Sequence, residues 1–131
     1  MLTIRNAQMR VFEEAAIDKM APLVEDYLRQ HHAPHVEPLS ADLLRLRVTT
    51  AIRRAMKYGL DGDAFGLLIS LMFEIAPNVD AHPAFHEILS DRTLDSDLRY
   101  QLLVEGITRR DIDEARAMAD EAAWNDPSET R

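Results

Sequence analysis

The 131-residue sequence contains no cysteine, only four glycines, a single tryptophan beside three tyrosines and four phenylalanines, and no apolar run of membrane-spanning length. Without cysteine there is no disulfide framework, no thiolate zinc site and no cysteine nucleophile, and a reducing compartment suits such a chain. Cytoplasmic residence and no membrane association are the expectations. Arg5, Arg10, Glu13, Glu14, Asp18 and Lys19 interrupt any signal-peptide core in residues 1–20, so export by the general route is not expected. The scarcity of glycine and the absence of alternating β-branched stretches leave little from which to build a sheet. The chain is instead rich in Ala, Leu, Arg, Glu and Met, which predicts an all-α fold of about six or seven helices. A chain of this length can bury a core of its own. The expectation is one helical domain over residues 1–124, followed by a flexible tail, Asn-Asp-Pro-Ser-Glu-Thr-Arg, over 125–131.

What the sequence does have is one segment, Ala64 to Ala76, whose apolar residues surround a helical wheel. A helix apolar on every side is a buried helix. At about 1.5 Å per residue it is too short to cross a bilayer of about 30 Å. It therefore reads as the central helix, with Gly66 and Ser70 making one side small.

Around it the periodicity predicts a helix over 4–16 with Ile4, Ala7, Val11, Phe12 and Ala15 inward. A second helix follows, through about Gln30, N-capped by Asp18 and turning Met20, Leu23, Val24, Tyr27 and Leu28 inward. If the two are continuous, Pro22 should kink them. Residues 31–38, with two prolines and three histidines, read as a connector. Ser40 caps a helix from Ala41 to about Tyr58, which Gly59 ends; Leu44, Val48, Ala51, Ile52, Ala55 and Met56 form its apolar arc. Asp61 caps the central helix, and Pro77 to Asp80 follow it as a break. Pro83 opens a short helix offering Phe85, Ile88 and Leu89 to the core. Asp95 caps another through Glu105, presenting Leu98, Leu102, Leu103 and Tyr100, with Gly106 as its stop. Thr108 and Asp111 form a capping box for a last, peripheral helix to about Trp124, with Ile112, Ala115, Ala119 and Ala122 inward.

The net charge of −8 is unevenly spread: residues 40–58 hold five basic residues against Asp42 alone, a local +4 that leaves −12 elsewhere. On the wheel of 41–58, Arg47, Arg53, Arg54 and Lys57 lie opposite the apolar arc and make a basic face for solvent or a partner. An acidic partner protein fits such a face. DNA recognition by the same helix is the alternative, although an acidic chain repels polyanions and only Thr49 and Thr50 are placed as polar base-readers.

His82 and His86 have metal-pair spacing, but Pro83 puts His82 at a helix cap and spoils the shared face, so no metal site is expected. The pairs Asp61/Asp63, Asp95/Asp97 and Asp111/Asp113 fall at helix starts, where capping and the macrodipole account for them. Glu74, the one charge inside the apolar segment, needs a partner or an exit to water. With no nucleophile elbow, phosphate loop or dinucleotide fingerprint, neither an enzyme nor a cofactor is expected.

Five segments then occur in order: Met1-Leu2-Thr3-Ile4-Arg5-Asn6-Ala7-Gln8-Met9, Ala55-Met56-Lys57-Tyr58-Gly59-Leu60, Leu71-Met72-Phe73, Ile88-Leu89-Ser90-Asp91 and Leu94-Asp95-Ser96-Asp97-Leu98-Arg99. Together, over most of residues 1–105, they resemble a family of small bacterial helical proteins encoded beside type VI secretion spike and effector genes. The chain departs from that pattern at Ala76-Pro77-Asn78-Val79, where the family has a glycine and an aromatic residue. The resemblance implies a non-catalytic accessory protein, an adaptor, chaperone or immunity protein for an effector or spike component, and it brings no catalytic residues with it.

Overall fold

The computed structural model describes residues 2–125, with side chains from residue 13 onward. The helices are α1 (Leu2–His31), α2 (Ala33–Val36), α3 (Ala41–Lys57), α4 (Gly62–Glu74), α5 (Pro83–Leu89), α6 (Ser96–Gly106) and α7 (Arg109–Ala117). Short 3-10 turns at Val79–Ala81 and Glu121–Asn125 complete the set, and the described residues are all-α, without a strand. No helix among them is long and apolar enough to cross a membrane. The chain divides into two compact units, Met1–Thr49 and Thr50–Arg131, with the division falling inside α3.

In the first unit, α1 is one unbroken helix and Asp18 does not restart the chain. Pro22 lacks an N–H, so the Asp18 carbonyl loses its helical partner, which costs about 3 kcal/mol in a helix interior. Burial of Ile17 and Ala21 before the proline and Leu28 after it, all on one face, holds the helix together across the defect. Leu23 and Tyr27, expected inward, are exposed; the buried face is centred on Ile17, Ala21 and Leu28. The expected inward residues Ile4, Ala7, Val11 and Phe12 lie outside the described side chains, and the expected tail from Asp126 onward lies outside the described residues. Glu25 is buried on α1 and takes a two-pronged hydrogen bond from Arg45 of α3, Nη2 to Oε1 at 3.1 Å and Nε to Oε2. The expected connector contains one turn of helix, α2, because Pro34 is preset for a first turn and Val36 is buried.

Ser40 caps α3 as expected, its Oγ accepting the Leu43 N–H at 3.1 Å, and Gly59 leaves the helix at φ +69°. The apolar arc is in place, with Leu44, Val48, Ala51, Ile52 and Ala55 buried.

In the second unit, no side chain of α4 from Ala64 to Phe73 is exposed, and Glu74 reaches the surface at its end. α4 packs against α6, and the Trp124 ring lies 4.9 Å from that of Phe73. Asp61 stands at the N-cap of α4, but its side chain caps nothing; its N–H donates to Ser96 Oγ at 3.0 Å. Pro83 opens α5, Asp95 caps α6 through the Leu98 N–H at 2.8 Å, and Thr108 with Asp111 forms the expected capping box.

Besides the missing Asp61 cap, two larger expectations fail here. The last helix stops at Ala117 and not near Trp124: Asn78 Nδ2 donates to the Met118 carbonyl at 3.0 Å, and Asn78 Oδ1 accepts the Asp120 N–H at 2.9 Å. These bonds replace helical ones and let Trp124 turn into the core, leaving Ala119 and Ala122 exposed. The second failure is the rotation of α6, which buries Ser96, Arg99 and Leu103 and turns Leu98 and Leu102 outward.

Candidate functional site

The basic face of α3 is smaller than its sequence suggests. Arg54 is only 5% exposed, so it leaves the expected partner-binding set: Nη1 donates to Asp80 Oδ1 at 2.8 Å and to the Pro77 carbonyl at 3.4 Å, and Nη2 donates to the Ala123 carbonyl at 3.5 Å. The Tyr58 hydroxyl donates to the other oxygen of Asp80 at 2.6 Å. A buried charge is held only by such pairing and bonding, which is why Arg54 faces inward from a mostly polar side of its helix. Arg47, in the first unit, and Arg53 are half-buried, and Lys57 is exposed. Of the two threonines placed as base-readers, Thr50 is buried and donates to the Trp124 carbonyl, and Thr49 donates to the Arg45 carbonyl at 2.8 Å.

Arg99 is the interior arginine that the wheel of α6 conceals. At 4% exposed, it donates from Nη1 to the carbonyls of Tyr58 at 2.7 Å and Leu89 at 2.9 Å, and from Nη2 to that of Gly59 at 3.4 Å. These carbonyls stand at the C-terminal ends of α3 and α5, where helix dipoles are negative and the last acceptors lack helical partners. Arg92 donates to the neighbouring Lys57 carbonyl. The chain around Tyr58-Gly59, the end of α5 at Leu89 and α6 thus meet at one guanidinium.

With Arg99 turned in, α6 turns apolar and acidic side chains out. Leu98, 41% exposed, and Leu102 lie four apart on one side. Next to them runs a shallow groove lined by Asp63, Asp97, Tyr100, Gln101, Val104 and Glu105, which carries three carboxylates and no cation. Sequence reasoning missed this surface because it assigned both leucines to the core. The signal was the spacing Ser96, Arg99, Leu103, which defines an alternative inward stripe.

A second cluster joins α5 to α7. His82 is buried at the N-cap of α5; its Nδ1 accepts the Ala84 N–H at 3.2 Å and its Nε2 lies 3.1 Å from Glu114 Oε1. Asp111 completes a trio whose ligand-type atoms fall within 4.8 Å of one another. Because Nδ1 accepts, the proton of the neutral ring is assigned to Nε2, from which it donates to Glu114. A metal on Nε2 would move that proton to Nδ1, against the Ala84 N–H; as arranged, His82 and Glu114 form a hydrogen-bonded tie between α5 and α7. Backbone and then hydroxyl hydrogen bonds with Thr108 hold the Asp111 carboxyl below its ordinary pKa. Elsewhere His86 and the connector residues His31 and His35 are exposed.

Comparison of the chain with known protein families, curated proteins and solved structures found no match.

Proposed function

We propose that the chain is a non-enzymatic accessory protein that acts by holding another protein, with the outer side of α6 as its grip. The observation that carries this reading is the rotation of α6: burial of Arg99 commits Leu98 and Leu102 to the surface beside the carboxylates of Asp63, Asp97 and Glu105. Exposed leucines at helical spacing supply apolar anchors, and a single-sign acidic rim selects a basic segment on the partner. The family resemblance gives this partner a class, an effector or spike component of type VI secretion, and the role of adaptor, chaperone or immunity protein. Arg53 and Lys57 of α3 form a second, weaker contact surface of opposite sign.

Co-expression with the product of the neighbouring effector or spike gene tests the reading. Co-purification is expected, and replacing Leu98 and Leu102 by Asp should weaken it about 10–100-fold while leaving helicity unchanged, since both side chains already face water. Reversing Arg53 and Lys57 to Glu should weaken it less. Full capture by the α6 variant, or no capture by the unaltered chain, overturns the assignment.

A further inference from the structure

Among its described side chains, from residue 13 onward, α1 shows two apolar seams, of which one is covered. The covered seam is Ile17, Ala21 and Leu28. The other is Ala16, Met20, Leu23 and Tyr27, spaced four, three and four apart, the alternation by which one helix packs along another in a coiled coil. Leu23 is 69% exposed and Tyr27 46% exposed; Ala16 and Met20 are half-buried. The Tyr27 ring rests against those of His31, at 4.7 Å, and His32, at 5.8 Å, so it is ordered before any partner arrives.

We propose that this seam is the contact through which two copies of the chain associate, with their α1 helices antiparallel. Charge complementarity selects this occupant and this orientation. Taking Met20 and Tyr27 as the a positions and Ala16 and Leu23 as d, the flanking g positions are Lys19 and Asp26, both exposed, and the e positions are Ile17, which is buried, and Val24, which is half-buried. A parallel pair would set Lys19 and Asp26 of one helix against Ile17 and Val24 of the other, which offer no charge to meet them. In an antiparallel pair g meets g, so Lys19 of each copy faces Asp26 of the other, and the two-fold axis repeats the contact. Met20 then packs on Leu23, and Ala16 on Tyr27, twice each. Asp26 is available for this pairing because its intrahelical contact with Arg29 is long, 3.7 Å, and open to water. The contact is independent of the α6 surface.

Sedimentation equilibrium of the full chain from about 10 µM to about 1 mM is the test, a range that covers the affinity of a short two-helix contact. A monomer–dimer equilibrium is expected, with Leu23→Glu monomeric at unchanged helicity by circular dichroism. Lys19→Asp and Asp26→Lys should each weaken association about tenfold, and an equimolar mixture of the two should restore it by forming the heterodimer. A wild-type chain that stays monomeric overturns the proposal, as does a dimer indifferent to Leu23→Glu. A mixture that associates no better than its components overturns the antiparallel register.

Discussion

Arg54 and Arg99 are both interior guanidiniums of the second unit, and they are neutralised by different means. Arg54 has a carboxylate partner, Asp80, which also accepts the Tyr58 hydroxyl. Arg99 is held by backbone carbonyls at the ends of two helices. The first arrangement balances a full charge with a full charge. In the second, the partial charges of oriented peptide groups accumulate where α3 and α5 stop. The difference predicts what each site leaves behind when it is broken.

The largest loss is expected from Asp80→Ala. It strands the Arg54 charge in the interior and removes the acceptor of Tyr58, and breaking one side of a buried pair costs about 3–5 kcal/mol. Replacing both members together, Arg54→Met with Asp80→Leu, removes the charge along with its partner. That double variant should lose less stability than Asp80→Ala alone, a strong coupling readable by urea denaturation. A double variant as unstable as the sum of its single changes would show that the pair does not act as a unit. Arg99→Met strands no charge, only the carbonyls of Tyr58, Gly59 and Leu89, some within reach of water once the side chain is shortened. The expected cost is about 2–4 kcal/mol, with Arg99→Lys recovering part of it because one ammonium can still reach two carbonyls. If Lys recovers nothing, the planar fork and not the charge is what α6 contributes.

The contrast also explains which parts of the fold were legible in the sequence. Ser40, Gly59, Pro83, Asp95 and Thr108 announce helix ends through their own chemistry, and each is found where that chemistry puts it. The burial of α4 was legible because it rests on composition alone. Arg99 was not, because its partners are main-chain carbonyls, which leave no residue-type signature and reach α6 only through tertiary structure. Counting leucines on the wheel therefore turned α6 the wrong way and hid its outer surface. Arg54 misled for the related reason that its partner Asp80 sits 26 residues on, in the break after the central helix. Asp18 was over-weighted as a helix start, because the apolar contacts on both sides of Pro22 outweigh one missing hydrogen bond and let α1 run on.

An anion at a helix start carries the opposite sign and the smallest expected effect. Asp111 is an anion at the start of α7, held by the same kind of helix-end dipole that holds Arg99, but it is reached by solvent. Its pKa is lowered first by the Thr108 backbone N–H, next by the Thr108 hydroxyl, with His82 and Arg110 adding weaker attraction. A carboxyl whose folded pKa lies below its unfolded one contributes stability above the ordinary carboxylate range, and that contribution disappears as pH falls through the range toward the lowered value. Asp111→Asn keeps the hydrogen-bond acceptor and deletes the charge. The variant should therefore be less stable than the parent near neutrality and converge with it between about pH 4 and pH 2, read as the urea midpoint against pH. Asp91, lowered by its hydrogen bonds with Thr93, stays intact in both proteins and contributes equally to their shared acid limb. Parallel profiles would mean that the Thr108 hydrogen bonds hold the carboxylate in place without preferring its charge; convergence would mean that a helix start stabilises an anion even in water, and that Arg99 differs from it by burial alone.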